Sequence, residues 1–187
     1  MEGLMRKRTI GAYFAIVFGI AIPIALFEIW FDPFRTGSAG GFCFLAKKLD
    51  IPVLSRVVGD CMATPYHLIL FLIIVPILCG ITVWRVEGRA IHGILAKLAF
   101  FIACQLGVMV AEDASWFTLN TIFQLRVPDA LPHLLRGQVA WFPRWFDFGI
   151  FKLPDFYIYL PLSIVILLVI EHVANRKAKL VRPSVLS

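Results

Sequence analysis

Four apolar runs divide this chain, each close to the length a helix needs to cross a lipid bilayer. They cover Thr9 to Phe31, with no charge before Glu28, then Tyr66 to Trp84, Ile91 to about Glu112, and Phe156 to about Val173. A hydrocarbon core of about 30 Å takes about 20 helical residues to span, and a backbone inside it has no water to satisfy its N–H and C=O groups. The runs are continuously apolar and do not alternate, so they do not read as strands of a membrane barrel. The expected fold is an all-α membrane protein. It forms one four-transmembrane-helix bundle, with helices at about 9–31, 66–84, 91–112 and 156–173 and outer loops at 32–65 and 113–155. Pro23, Pro76 and Pro161 lie within the runs, where neighbouring helices can satisfy the carbonyl that proline leaves free.

Composition points the same way. Of 187 residues, 60% are hydrophobic and 16% charged, against about 25% charged in a soluble domain. The net charge of +6 does not suggest nucleic acid, because its Lys and Arg flank the apolar runs and no pattern that reads DNA or RNA accompanies them. The N-tail, the turn after Trp84 with the start of the third run, and the C-tail hold ten Lys and Arg (three, three and four) in short segments. The two long loops hold eight, spread over many more residues. The denser side is expected to be cytoplasmic, with both termini there. Arg6-Lys7-Arg8 ahead of the first run imitates a signal peptide, but the run is too long for a cleavable segment and no small-x-small site follows. It is expected to stay as an anchor in the cell membrane. Trp30, Trp116, Tyr157 and Tyr159 would then form an outer aromatic belt, with Trp84 at the inner face. Gly11, Ala15 and Gly19 on the first helix and Ala99, Ala103, Gly107 and Ala111 on the third recur every four residues, a spacing that suits close helix packing of these two faces.

The outer loops carry most of the remaining signal. Cys43 and Cys61 share the first loop and, on an oxidising side, could form a disulfide; Cys79 and Cys104 fall in apolar runs and read as packing residues. No CxxC is present, which argues against thiol redox chemistry. The second loop is aromatic, with Trp141-Phe142-Pro143-Arg144-Trp145-Phe146 followed by Phe148, Phe151, Phe156 and Tyr157. Such a segment suits the headgroup region, either as a simple cover for the bundle or as a surface for a lipid, a quinone or a partner helix.

Ionisable residues in membrane segments are costly and therefore candidates for function. Glu28, Glu112 and Asp113 come near the outer ends of their helices, and none sits at the mid-membrane depth that transporters favour. Lys97, Gln105 and Glu112 form a polar stripe that should look into the bundle. If the third helix continues past Val110, Glu112, Trp116 and Asn120 share one face at four-residue spacing. His67 comes to the same depth as Glu28, so a site from Glu28, His67, Glu112 and Asp113 is possible, with the two adjacent carboxylates as metal ligands or as an acid–base pair. The spacing lacks the His-x-x-x-His or Glu-x-x-His of a specific metal site, and these groups could equally be hydrated or cap the loops. The histidines are at helix ends or in a loop, shallower than haem ligands in membrane bundles, and no cofactor is specified.

The Glu112-Asp113-x-x-Trp116-Phe117-x-Leu119-Asn120 stretch, followed by Trp141-Phe142-Pro143-x-Trp145, resembles a group of small, uncharacterised prokaryotic multi-pass membrane proteins. In that group His commonly follows the loop Trp; Phe142 stands there in this chain. The resemblance implies a prokaryotic inner membrane and no particular activity, and it adds weight to Glu112, Asp113, Trp116 and Asn120.

Two functional expectations follow. The first is an accessory or assembly subunit that packs against a membrane protein partner, with Trp116, Asn120, Trp141, Phe142, Trp145 and Phe146 as lipid- or partner-binding residues. The second is a membrane-embedded enzyme, or a cofactor- or lipid-binding protein, with an acidic site at the outer interface and a lipid or quinone-like ligand.

Overall fold

A computed structural model describes residues 2–31, 69–84, 91, 93–125, 127–139, 142 and 144–181. In chain order the elements are α1 (Glu2–Phe31), α2 (Leu70–Thr82), α3 (Ile94–Ile122), the short α4 (Ala130–Leu135), β1 (Trp145–Asp147), β2 (Lys152–Pro154) and α5 (Phe156–Val181). Three segments, Thr9–Trp30, Ile94–Ile122 and Phe156–Ala178, are long and apolar enough to cross a membrane. The second apolar run is described only as the shorter α2, about 20 Å long at 1.5 Å per residue. It opens as a π-helical turn over Leu70–Ile74 and continues as α-helix from Val75. Pro76 explains that position: proline offers no N–H and crowds the carbonyl four residues earlier, and a widened turn relieves both.

The expected third helix runs on to Ile122, past the boundary at 112. Glu112 and Asp113 therefore lie within α3 and not at its end. The stop is a Schellman-type closure. Gln124 adopts φ 49°, its N–H reaches the Thr121 carbonyl at 3.4 Å, and the Leu125 N–H reaches Asn120 at 3.0 Å. The Asn120 side chain reinforces it, donating to the Trp116 carbonyl at 2.9 Å and accepting from the Val127 N–H at 3.2 Å.

α3 is the axis of the fold, with α1, α2 and α5 packed around it. Its Ala96, Phe100, Ala103, Cys104, Val108 and Ala111 share one buried cluster with Tyr13, Val17 and Ala21 of α1, Val75 and Cys79 of α2, and Ile164 of α5. Named contacts fix the helix directions. Tyr13 meets Phe100 and Glu28 meets Glu112, so α1 and α3 are parallel. Phe71 meets Gln105, Gly80 meets Phe101 and Trp84 meets Lys97, so α2 is antiparallel to α3. Tyr157 meets Asp113 and Ala178 lies beside Gly93, so α5 is antiparallel as well.

Small residues set the approach of α1 and α3, though only half of the expected pairing forms. On α3, Ala99, Ala103, Gly107 and Ala111 are buried as expected. On α1, Gly11 and Gly19 have open space beside them, and the face that packs is Tyr13, Val17, Ala21 and Ala25. Gly107 is the point of closest approach, because a Cβ there would overlap the Tyr13 hydroxyl and come within 2.8 Å of Val17. The outward faces are apolar, with Phe14 and Phe18 on α1, Ile73 and Ile77 on α2, and Leu162, Ile166 and Val169 on α5 all exposed. Lipid can cover such faces and water cannot do so cheaply.

Candidate functional site

The upper part of α3 stands beyond the cluster that binds the four helices and carries a second one. Phe117, Ala130, Leu134, Val139 and Phe142 are buried together, with Trp116, Leu131, Trp145, Phe156 and Tyr157 packed against them. The Phe142 ring sits at the centre, 5.2 Å from Phe156 and 5.4 Å from Trp145 between centroids, and 6.3 Å from Phe117. Phe142 and Trp145 of the aromatic segment, for which a cover over the bundle is one of two expectations, are thus folded into a cap. Thr121 ties α4 to the top of α3, accepting from the Leu131 N–H at 2.9 Å.

Below this cap, where α1, α3 and α5 come together, the acidic residues meet. Glu28 of α1 and Glu112 of α3 are buried, at 6% and 4% exposure, and their carboxyl groups face one another. Asp113, the next residue on α3, accepts a hydrogen bond from the Tyr157 hydroxyl of α5 at 2.5 Å. Adjacent residues on a helix point about 100° apart, which is why Glu112 reaches α1 while Asp113 reaches α5. The polar stripe below divides in the same way. Gln105 donates to the Phe71 carbonyl at 3.0 Å, and the Lys97 ammonium stands 4.9 Å over the Trp84 ring, so both address α2.

The remaining expected site residues fall into distinct places. Asn120 is fully buried and Phe142 is 4% exposed, so both hold the cap together. Trp116 and Trp145 are partly buried against it, while Phe146 faces outward and contacts Tyr159 at 5.8 Å. His133 is exposed and bonded to Gln138 at 3.0 Å, and His172 is exposed on α5. His67, Trp141 and the Cys43–Cys61 pair lie outside the described residues. Cys79 and Cys104, both buried in the bundle, are not in disulfides. Among the described residues, no three His, Cys, Asp or Glu side chains are grouped as a metal site.

Tyr157 is the site residue that sequence reasoning placed only in an aromatic belt. Its bond to Asp113 joins residues 44 apart, a separation at which no local spacing gives a signal.

β1 and β2 form an antiparallel hairpin with Asp147 opposite Lys152. Asp147 accepts from the Gly149 N–H at 2.8 Å and pairs with Lys152 at 3.1 Å. The Gly149 amide first, and Lys152 second, hold this exposed carboxyl below its ordinary range. Gly149 sits at φ 82°, where a side chain would be strained.

Between α1 and α5, on the surface of α3, runs an apolar groove of about 700 Å³. Its floor is Gly107, Ala111, Ala114 and Ser115, and its walls include Phe14 and Phe18 on one side and Pro161 and Val165 on the other. None of the acidic residues lines it.

Compared with protein-family models, curated proteins and solved structures, the chain has no match.

Proposed function

We propose that this chain is a membrane-embedded acid–base protein that acts on a lipid-like or quinone-like molecule at the outer side of the bilayer. It crosses the membrane four times, with both termini cytoplasmic. One observation carries the functional reading: Glu28 and Glu112, from different helices, meet inside the bundle with Asp113 and its Tyr157 partner alongside. Ionisable groups are costly among membrane helices and are retained where they work. Two carboxylates that share a buried site repel each other, which favours a proton on one of them. The pair is therefore a place where a proton can be held and passed on, as general acid–base chemistry requires. Apolar helices below and aromatic rings above favour a partner that arrives from the lipid.

The helix directions and the charge pattern support the topology. α1 and α3 run the same way, which calls for one return crossing between them, and α2 runs opposite to both. Lys and Arg concentrate in the segments on the side of both chain ends.

The test is purification in mild detergent followed by extraction and mass spectrometry of bound small molecules. The wild-type chain should retain a lipid-like or quinone-like compound that is depleted in Glu112→Gln and Asp113→Asn at unchanged folding. Equal retention in wild type and variants would overturn the reading.

A second reading, an accessory or assembly subunit, draws on the groove. Its floor of small residues admits close backbone approach, and a partner's transmembrane helix is the occupant that this geometry suits. Ala114→Leu would fill the floor without touching the acids, and should abolish co-purification of such a partner.

A further inference from the structure

We propose that the tip of the β1–β2 hairpin, Phe148 to Ile150, is an anchor that dips into the headgroup–acyl boundary of the outer leaflet beside α5. This rests on the reading of the chain as membrane-spanning. Alternation along β1 sets up the geometry. Trp145 turns inward and packs on Phe142 of the cap, whereas Phe146, on the opposite face, contacts the ring of Tyr159 at 5.8 Å. Tyr159 lies a turn inside α5, which begins at Phe156 just after β2. The contact sets the β1 strand against the side of the first turn of α5.

The side of α5 that it meets is the one left open to the bilayer. Tyr159 shares a face with Leu162, Ile166 and Val169 at helical spacing, and all four are exposed. Phe146 therefore joins the hairpin to that apolar face without a break. Beyond it the tip presents Phe148, 51% exposed and stacked on Phe151 at 5.0 Å, and Ile150, 91% exposed. At the hairpin neck the chemistry changes to charge: Asp147 pairs with Lys152 and Arg144 is exposed. Apolar residues at a tip, with ionic groups behind them and continuous with a lipid-facing helix, match the layering of the interface. The tip differs in this from Phe142 and Trp145, which the cap itself consumes.

The experiment uses the full chain in vesicles of phosphatidylcholine and phosphatidylglycerol. A parent carrying Cys43→Ser and Cys61→Ser keeps only the buried Cys79 and Cys104 and supplies the labelling background. Phe148→Cys, Ile150→Cys and, as a bilayer-facing control, Leu162→Cys are each labelled with an environment-sensitive fluorophore. Labels at 148 and 150 should shift to the blue on reconstitution and lose more emission to shallow nitroxide lipids than to deep ones, with the order reversed at 162. Quenching at 148 and 150 by aqueous iodide and not by lipid would place the tip in water. Shielding from both quenchers would place it under protein, such as a second copy of the chain. Either result overturns the anchor while leaving the spanning helices intact. Failure of lipid quenching at 162 would overturn the spanning reading and the anchor with it.

Discussion

At the scale of single residues, the contact that most restricts the bundle is Gly107 against Tyr13. A methyl group at 107 collides with the phenol hydroxyl and with Val17, so α1 and α3 must part or Tyr13 must turn away. Gly107→Ala is expected to destabilise the bundle by about 1–3 kcal/mol. The measure is the midpoint of unfolding in a denaturing-detergent titration. Because the shortest overlap is with the hydroxyl, Tyr13→Phe should recover part of that loss in the double variant, a coupling that independent sites would not show. The same residues explain why the packing face of α1 was hard to read. Gly11, Ala15 and Gly19 recur every four residues, but so do Tyr13, Val17, Ala21 and Ala25, and spacing alone does not choose between two equally regular faces. The choice falls to a ring whose tip fits over a missing side chain on another helix.

At the scale of elements, the cap depends on how α3 ends. Asn120→Ala removes the acceptor for the Val127 N–H at a fully buried position, a loss of about 1–3 kcal/mol. Its expected signature is faster limited proteolysis after α3, between 123 and 129, with the helical content of the bundle retained. The hairpin has its own dependence on acidity. The Asp147 carboxyl is held below its ordinary range by the Gly149 amide and Lys152, so its stabilising effect is present above the ordinary Asp range and is lost as pH falls through the lowered value. Protection of the Gly149 amide against hydrogen exchange should fall across that acidic window in the wild type and should stay unchanged across it in Asp147→Asn. Sequence made the bundle helices legible because apolar runs of bilayer length have few other uses. It also brought Glu28 and Glu112 together, since counting depth from the helix ends places them at one level. The cap was legible only as one of two readings of the aromatic loop, and its anchoring not at all: the end of α3 is written in the Asn120 side chain and an unusual φ at Gln124, where a glycine would have announced it. The burial of Phe142 depends on rings from α3 and α5 that only the folded chain gathers.

At the scale of the whole molecule, α1 and α3 run one way and α2 and α5 the other, and the proposed four crossings with both termini cytoplasmic have a direct test. A membrane-impermeant reagent applied to intact cells should reach a tag at neither terminus, and should reach both after the cytoplasmic side is opened. Labelling of just one terminus in intact cells would refute four crossings. The arrangement also orders events in time. A nascent chain that has emerged as far as Ile122 already contains Glu28 and Glu112, but Tyr157, Phe142 and the rest of the cap are still to be made. The acidic centre is thus completed by residues made after α3, and its seal closes only when α5 packs against α3 and brings Tyr157 and Phe156 to it.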